Sequence, residues 1–328
     1  MRPFRYVRPA ELPEAIAALA GAPDAKLLGG GTNLVDLMRL DVEQPGLLVD
    51  VSGLPFDRVE EADDGGLRIG AGVRNSDLAV DERVRARFPM LARALLGGAS
   101  GQLRNAATVG GNLMQRTRCL YFQDVTKPCN KRRPGSGCPA RDGEHRNLAI
   151  LGHSEACVAT HPSDMAVALA ALDAVVHVEG PDGHRDVPLV GFHRLPGDEP
   201  GRDTLLARDE IVVAVSVPPL AMPAAYTTYR KVRERASFSF AVVSIAAAVD
   251  ADGGAIREAR IALGGVAHRP WRAERAEAVL QAAPATVNAI AAAADAEIEA
   301  AVPLRDNAYK VELARRLMVD TIQDLVGR

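Results

Sequence analysis

The four cysteines of this 328-residue chain all lie between Cys119 and Cys157, in a stretch that cannot form long helices or strands. Proline removes a backbone donor and glycine favours turns, so their density breaks regular structure. The prolines and glycines that break the stretch are Pro128, Pro134, Gly135, Gly137 and Pro139. We therefore predict an irregular loop that presents the cysteines.

The composition is that of an ordinary globular protein, with 48% hydrophobic and 25% charged residues. A net charge of −3 gives no basic excess, so no nucleic-acid partner is expected. No apolar run approaches the ~18 residues of a membrane span, and the first residues lack the apolar core of a secretion signal. We expect a cytoplasmic protein, where clustered cysteines are more often metal ligands than disulfides.

The order of apolar runs and turns predicts an α+β chain. Residues 25–28 are predicted to form a strand and residues 84–100 a helix. Residues 225–232, 240–251 and 257–266 are predicted to form three consecutive antiparallel strands, followed by helices over 285–301 and from about Asn307. Because Pro218 and Pro219 separate these two regions, we predict domains at 1–219 and 220–328.

Two glycine-rich loops have the chemistry of phosphate binding. Gly29, Gly30 and Gly31 follow the first predicted strand and precede Thr32 and Asn33. Glycines let backbone N–H groups approach a phosphate, and a hydroxyl adds a donor. The pattern is neither G-x-G-x-x-G nor a P-loop. A tight turn between strand and helix is the alternative.

The second loop repeats that chemistry with Thr108, Gly110, Gly111 and Asn112. Two such loops suit a ligand with a central pyrophosphate. Asp164, with Ser163, could bind a ribose hydroxyl, although a serine after proline is also a common helix N-cap. The residues predict a dinucleotide ligand without choosing between FAD and NAD.

The cysteines are separated by nine, eight and eighteen residues. Structural zinc sites usually contain a C-x₂₋₄-C pair, and this chain has none, so zinc is disfavoured. Ferredoxin spacing is also absent. The spacing predicts a four-cysteine metal site without identifying the metal, and four unrelated buried thiols are the alternative.

Several motifs, in order along the chain, resemble the FAD-binding subunit of the molybdenum hydroxylases, the family of xanthine dehydrogenase, carbon monoxide dehydrogenase and aldehyde oxidoreductases. They include LLGGGTNLVDLMR, QLRNAATVGGNLM, PSDMAVALAALDA and YRKV…FAVVSIAAAV. The resemblance implies a two-part FAD-binding domain of the vanillyl-alcohol-oxidase-like (PCMH) type. It also implies a C-terminal α+β domain of the CO dehydrogenase flavoprotein type.

The resemblance further implies FAD as the cofactor. The two loops would hold its pyrophosphate, Asp164 would bind near the ribose, and Ile211 and Val212 would line the adenine or flavin region. Lys231 would be a cation near the flavin, with an exposed strand lysine as the alternative. The full set of expected cofactor residues is Leu28, Gly29, Gly30, Gly31, Thr32, Asn33, Leu34, Ala107, Thr108, Gly110, Gly111, Asn112, Met114, Ser163, Asp164, Ile211, Val212 and Lys231. No residue is assigned a catalytic role.

A subset of the family carries a [4Fe–4S] cluster in an insertion between the second glycine loop and the Ser-Asp pair. It includes bacterial aldehyde oxidoreductases and 4-hydroxybenzoyl-CoA reductase, and the run TRCLYFQD…CNKRRPGSGC is most similar to the former. The likeness implies an insertion at about 116–160 with the cluster on Cys119, Cys129, Cys138 and Cys157. Most basic side chains of the loop are expected to be solvated, and one or two of them to offset the negative charge of the cluster and raise its potential, which charge-neutralising substitutions at Arg132 and Arg133 would test. These basic residues are Arg116, Arg118, Lys127, Lys131, Arg132 and Arg133.

The implied function is that of an electron-transfer subunit. Its partners would be a small subunit with two [2Fe–2S] clusters and a large molybdenum-pterin subunit, in a heterotrimer or its dimer. Electrons from an aldehyde substrate would reach an external acceptor through FAD. Co-export with a signal-bearing partner would place the complex in the periplasm. The alternatives are a xanthine dehydrogenase or aromatic acyl-CoA reductase flavin subunit, a stand-alone flavin oxidoreductase, and a zinc-stabilised nucleotide-binding module.

Overall fold

The computed structural model describes residues 1–327, in which the strands form three sheets surrounded by helices. The strands are β1 (Arg5–Val7), β2 (Ala25–Leu28), β3 (Leu47–Asp50), β4 (Val59–Glu61), β5 (Leu67–Gly70), β6 (Val175–Gly180), β7 (Gly183–Pro188), β8 (Ile211–Val217), β9 (Thr227–Val232), β10 (Val243–Asp252), β11 (Ala255–Gly264) and β12 (Trp271–Arg272). The helices are α1 (Leu12–Ala20), α2 (Leu34–Arg39), α3 (Asn75–Val80), α4 (Glu82–Arg87), α5 (Pro89–Gly97), α6 (Gly101–Ala106), α7 (Val109–Leu113), α8 (Leu120–Gln123), α9 (Asp164–Ala171), α10 (Leu189–Phe192), α11 (Glu274–Leu280), α12 (Val287–Ile298) and α13 (Tyr309–Val326).

The first sheet is parallel, with strand order β1-β3-β2. Its central strand β3 is buried along its whole length, which is why Leu47, Leu48 and Val49 form an unbroken apolar run. The first glycine loop leaves the carboxyl end of β2 and leads into α2. The carboxyl ends of parallel strands are a common position for ligand-binding loops.

The second sheet is antiparallel, with strand order β4-β5-β8-β6-β7. Every residue of α9 is buried, so this helix has no solvent-facing side. It packs against β10 and β11 of the third sheet and against α5. This packing places Ser163 and Asp164, at the start of α9, between the two halves of the chain.

The third sheet is antiparallel, in the order β12-β11-β10-β9, and its strands β9, β10 and β11 confirm the three predicted strands. In β10, Ile245 and Ala247 belong to a hydrophobic core shared with α11, α12 and α13, whereas Ala246 and Ala248 belong to the core that contains α9. The alternation follows from the two-residue period of a strand. The sheet is therefore covered by helices on both faces.

The helix predicted over 84–100 is instead two helices, α4 and α5, which meet at Phe88 and Pro89. Proline has no N–H to continue α4, but it is favourable at the first position of a new helix. The later helices were predicted correctly, because α12 falls within 285–301 and α13 begins at Tyr309. Within residues 1–327, no helix combines the length and apolar character required to cross a membrane.

The cysteine-containing segment connects α7 to α9 and is irregular, as predicted, apart from short turns such as α8. Hydrogen bonds from its own side chains hold it together. The Arg132 guanidinium donates to the carbonyl oxygens of Phe122 and Asp124 at 2.9 and 2.7 Å. The buried ammonium of Lys310, from α13, donates to the carbonyls of Leu148 and Gly265 at 2.8 and 2.5 Å. The segment is thereby attached to the third sheet.

Candidate functional site

A cleft of about 530 Å³ lies where the two glycine loops, the start of α9 and the β9–β10 loop meet. This volume is typical of sites that bind a small molecule or cofactor, which are usually 300–1,000 Å³. Of the residues predicted to bind the cofactor, those lining the cleft are Thr32, Asn33, Ala107, Gly111, Asn112, Ser163 and Asp164. The three polar segments that the sequence analysis singled out therefore come together in space.

The two glycine loops pack directly against each other. A Cβ atom on Gly30 would lie 1.8 Å from the carbonyl oxygen of Ala106, and Gly31 has a positive φ of 73°. Only glycine satisfies both positions without a clash or strain. The Thr108 hydroxyl accepts the Gly111 N–H at 3.2 Å and so holds the second loop in shape. The remaining predicted residues of these segments are not among those that line the cleft: Leu28, Gly29, Gly30, Gly31, Leu34, Thr108, Gly110 and Met114.

Ser163 links the second loop to α9. Its hydroxyl accepts the Ala166 N–H at 3.0 Å, which confirms the alternative that it is the N-cap of α9. The same hydroxyl donates to Asn112 Oδ1 at 2.7 Å. Because serine has a single donor, that donor is used inside the protein. Ser163 therefore positions Asn112 in the cleft.

Asp164 is held by two residues of β9. Its Oδ2 lies 2.7 Å from the ammonium of Lys231, and the Tyr229 hydroxyl donates to its Oδ1. Lys231 also donates to the Gly97 carbonyl at 3.0 Å, and only 5% of its side chain is exposed. The alternative of an exposed lysine is therefore wrong. Burial raises the pKa of Asp164, and the Lys231 ammonium and the two hydrogen bonds oppose that shift.

Arg118 is a cleft residue that the sequence analysis placed with the solvated loop. Its guanidinium lies 5.0 Å from the Phe240 ring centroid, and burial lowers its pKa while the Asp36 carboxylate opposes this. Its Nε is buried without a hydrogen-bond partner among residues 1–327, and so are Asn33 Nδ2 and Asn75 Oδ1. Buried polar atoms are normally paired. These unpaired atoms therefore fit a polar ligand in the cleft.

Ile211 and Val212 do not line this cleft. The two side chains, 2% and 6% exposed, pack into different hydrophobic cores on opposite faces of β8. Since residues that alternate along a strand point to opposite sides, they cannot both face one ligand. The expectation that this pair lies near the adenine or flavin stays a prediction, which the lining of the cleft does not support.

All four cysteines line a second, small and mostly apolar cavity. Their thiols are free, and burial raises the pKa of Cys119 and Cys138 and raises that of Cys157 to about 12. In a tetrahedral zinc site with Zn–S bonds of about 2.3 Å, the sulfurs lie about 3.8 Å apart. Within residues 1–327, no three cysteine sulfurs lie within 4.8 Å of one another. The thiols therefore line one space without being drawn together around a single point.

Lys131, and not Arg132 or Arg133, is the cation beside the thiols. Lys131 is only 4% exposed. Its ammonium donates to the Pro200 carbonyl at 2.7 Å and forms an ion pair with Asp203. Its charge opposes the effect of burial on the pKa of Cys157. Arg132 instead bonds loop carbonyls and Arg133 is exposed, and neither lines the cysteine cavity. Arg116 is also not solvated but ion-paired with Asp203 at 2.9 Å, whereas Lys127 is exposed as expected.

Three histidines, of which His193 and His268 are buried, lie between Asp203 and the cleft. His268 Nε2 lies 3.8 Å from Asp203 Oδ1, and the rings of His193 and His161 are 4.2 Å apart between centroids. His161 lines the cleft. Burial lowers the pKa of His161 well below its usual range, and lowers those of His193 and His268 to about 4. In all three imidazoles, burial therefore favours the neutral form.

Comparison with known families matches nearly the whole chain. The family described as the FAD binding domain in molybdopterin dehydrogenase matches residues 2–220, and the CO dehydrogenase flavoprotein C-terminal domain matches residues 227–325. The predicted fold class, an FAD-binding domain followed by a C-terminal α+β domain of that type, is confirmed.

Individual relatives agree with this result. The chain is 50% identical over 326 residues to the aldehyde oxidoreductase FAD-binding subunit PaoB of Escherichia coli (strain K12), covering 99% of this chain and 98% of that protein. It is 30% identical to the carbon monoxide dehydrogenase medium chain of Hydrogenophaga pseudoflava, covering 96% and 94%. A solved structure of carbon monoxide dehydrogenase from that organism superposes with a TM-score of 0.76 at 30% identity, over 97% of this chain and 96% of the other.

Proposed function

Because the chain belongs to the FAD-binding medium subunits of the molybdenum hydroxylase family, we propose that it is the electron-transfer subunit of an aldehyde oxidoreductase and carries both FAD and a [4Fe–4S] cluster. The observation that carries the proposal is the pairing of two cavities: a polar cleft built on two glycine loops, and a smaller cavity lined by every cysteine of the chain. We place the division between its two domains near Pro218 and Pro219.

The cleft fits FAD in size and in chemistry. Bound FAD supplies the exchange between one-electron and two-electron carriers. The glycine loops bring backbone close to a pyrophosphate, and Asn33 and Asn75 offer unpaired polar atoms. Arg118 contributes a partly desolvated positive charge, the role that the sequence analysis gave to Lys231. Asp164 is fixed by Lys231 and Tyr229, so it presents a preorganised carboxylate.

The cysteine cavity supports the cluster through its ligand set. Four thiolates are the usual ligands of [4Fe–4S], and all four thiols of the chain line this one cavity. Cys119, Cys129, Cys138 and Cys157 would be those ligands. Lys131 places one buried positive charge next to them, which would offset part of the negative charge of a thiolate-bound cluster.

The name of the 50%-identical relative supports the substrate class, since that protein is an aldehyde oxidoreductase subunit. The carbon monoxide dehydrogenase relative is a medium chain, which implies smaller and larger partner chains. We propose that this chain assembles with a [2Fe–2S] subunit and a molybdenum-pterin subunit. It would pass their electrons to an external acceptor.

The proposal is tested by co-expressing the chain with its two candidate partner subunits and purifying the complex through a tag on this chain. Anaerobic addition of an aromatic or aliphatic aldehyde should bleach the visible absorption of the flavin in the complex. The isolated chain should show no bleaching. Bleaching by aldehyde in the isolated chain would mean a stand-alone flavin oxidoreductase. Bleaching of the complex by xanthine and not by aldehyde would contradict the substrate class.

A further inference from the structure

A cluster of metal-binding side chains lies on the β6–β7 hairpin, apart from the cofactor cleft and the cysteine cavity. Val176 and Val178 of β6 are fully buried, so His177 and Glu179 point to the opposite face of the second sheet. The antiparallel register pairs His177 with Asp186 and Glu179 with His184. Four side chains with nitrogen or carboxylate ligands therefore share one face of an edge hairpin.

Three ligand atoms converge on one point. Asp186 Oδ1 lies 2.6 Å from His177 Nδ1 and 2.7 Å from His184 Nε2, and the three atoms all lie within 4.8 Å of one another. In a tetrahedral site with bonds of about 2.0–2.1 Å, neighbouring ligand atoms are about 3.3 Å apart. His184 and Asp186 are 46% and 54% exposed, so small side-chain rotations would open the necessary space.

The far side of each imidazole is already held. His177 Nε2 is 2.5 Å from Ser216 Oγ, and His184 Nδ1 is 3.0 Å from Glu179 Oε1. Metal-binding histidines characteristically donate their second N–H to such an oxygen, which fixes the ring and the tautomer.

We propose that His177, His184 and Asp186 form a binding site for a divalent transition-metal ion of the zinc class. Two imidazoles and one carboxylate suit zinc and its neighbours rather than magnesium or calcium, which prefer all-oxygen ligands. Ser216 and Glu179 orient the histidines. The three protein ligands leave a fourth position open to water or to a group from another molecule, as in other three-ligand zinc sites.

The site is tested by calorimetric titration of zinc into the full-length, cofactor-loaded chain. The protein is first dialysed against a chelator to remove bound metal. The unaltered chain should bind one zinc ion at this site, and Asp186→Asn and His184→Ala should each abolish or greatly weaken that binding. Glu179→Gln should weaken it about 10–100-fold, the usual effect of removing an outer partner of a ligating histidine. Asp182→Asn removes the same charge from the same hairpin outside the cluster, and should leave binding unchanged.

X-ray absorption at the zinc edge identifies the ligands, since the chain also contains four thiols. The result expected is a coordination shell of nitrogen and oxygen only. Sulfur neighbours would place the zinc on the cysteines and overturn the proposal. So would equal affinity in the unaltered chain and in Asp186→Asn, or the absence of binding to the unaltered chain.

Discussion

The ammonium of Lys231 lies 2.7 Å from the carboxylate of Asp164, and the two side chains are only 5% and 6% exposed. This pair joins β9 of the C-terminal sheet to the first residue of α9, which lines the cofactor cleft. A buried ion pair contributes little net stability, but removing one partner leaves an uncompensated charge in the interior. The pair therefore ties the geometry of the cleft to the packing of the C-terminal sheet.

Replacing Lys231 with methionine should lower the free energy of unfolding by about 3–5 kcal/mol, because Asp164 would remain buried without its cation. Urea unfolding measures the change. The double variant Asp164→Asn/Lys231→Met should recover part of the loss. The neighbouring Arg230→Met is the matched control, because Arg230 pairs with Asp324 at the surface and such pairs are worth about 0–1 kcal/mol. Equal losses in Lys231→Met and Arg230→Met would contradict this interpretation.

The substitution Gly30→Ala should greatly weaken the binding of FAD in the cleft. The new Cβ would lie 1.8 Å from the Ala106 carbonyl oxygen, so the two glycine loops would have to separate. The ratio of FAD to protein after gel filtration should fall well below that of the unaltered chain. Gly101→Ala is the control, because a Cβ there has no neighbour within 4 Å and alanine suits α6. Full FAD retention in Gly30→Ala would show that contact between the loops is not needed for binding.

Acid should destabilise the chain through its buried histidines. Burial lowers the pKa of His193 and His268 to about 4, against about 6.5 in the unfolded chain. Between these values the unfolded chain binds more protons, so stability is fully present above pH 6.5 and is lost as the pH falls towards 4. The expected loss is about 3 kcal/mol for each histidine.

Unfolding free energies measured between pH 4 and 7 test this prediction. In His193→Gln, the dependence of the unfolding free energy on pH should be weaker by about the contribution of one histidine. A slope that is the same in the unaltered chain and in His193→Gln would contradict the assignment of the pH dependence to His193.

The glycine loops could be predicted from sequence because their signal is local. Contiguous glycines after a strand mark a close backbone approach whatever the rest of the chain does. Ser163 was predicted both as a ligand residue and as a helix cap, and the cap is what the hydrogen bonds confirm. The strands of the C-terminal sheet could also be predicted from a local signal, because the two-residue period of a strand is visible in a few consecutive residues.

Contacts between residues that are far apart in the sequence determine the surroundings of Lys131 and Arg118, and the sequence does not predict these contacts. Lys131 stands in a basic run that is typical of a solvated loop, but its partner Asp203 is 72 residues away. Arg118 lines the cleft, and its guanidinium lies 5.0 Å from the ring of Phe240, which belongs to the β9–β10 loop 122 residues further along the chain. Neither of these two arrangements has a periodic or compositional signal in the sequence. Ile211 and Val212, expected near the FAD from the resemblance alone, alternate along β8, and their side chains pack into two different cores.

Cys138→Ser should remove the iron while leaving the flavin, because Cys138 lines only the smaller of the two cavities. Iron analysis and the visible flavin spectrum of the same sample measure the two cofactors separately. Lys127→Ala, an exposed change in the same loop, should retain both. Simultaneous loss of FAD and iron in Cys138→Ser, with the protein still folded, would mean that the two sites are not separate.

The central claim, that this chain carries FAD and a [4Fe–4S] cluster, is tested most directly by flavin, iron, acid-labile sulfide and zinc analysis of anaerobically purified protein. We predict about one FAD, four iron and four sulfide per chain, the contents of one flavin and one cubane cluster. Zinc bound by the cysteines in place of iron, or FAD with neither iron nor sulfide, would contradict the claim.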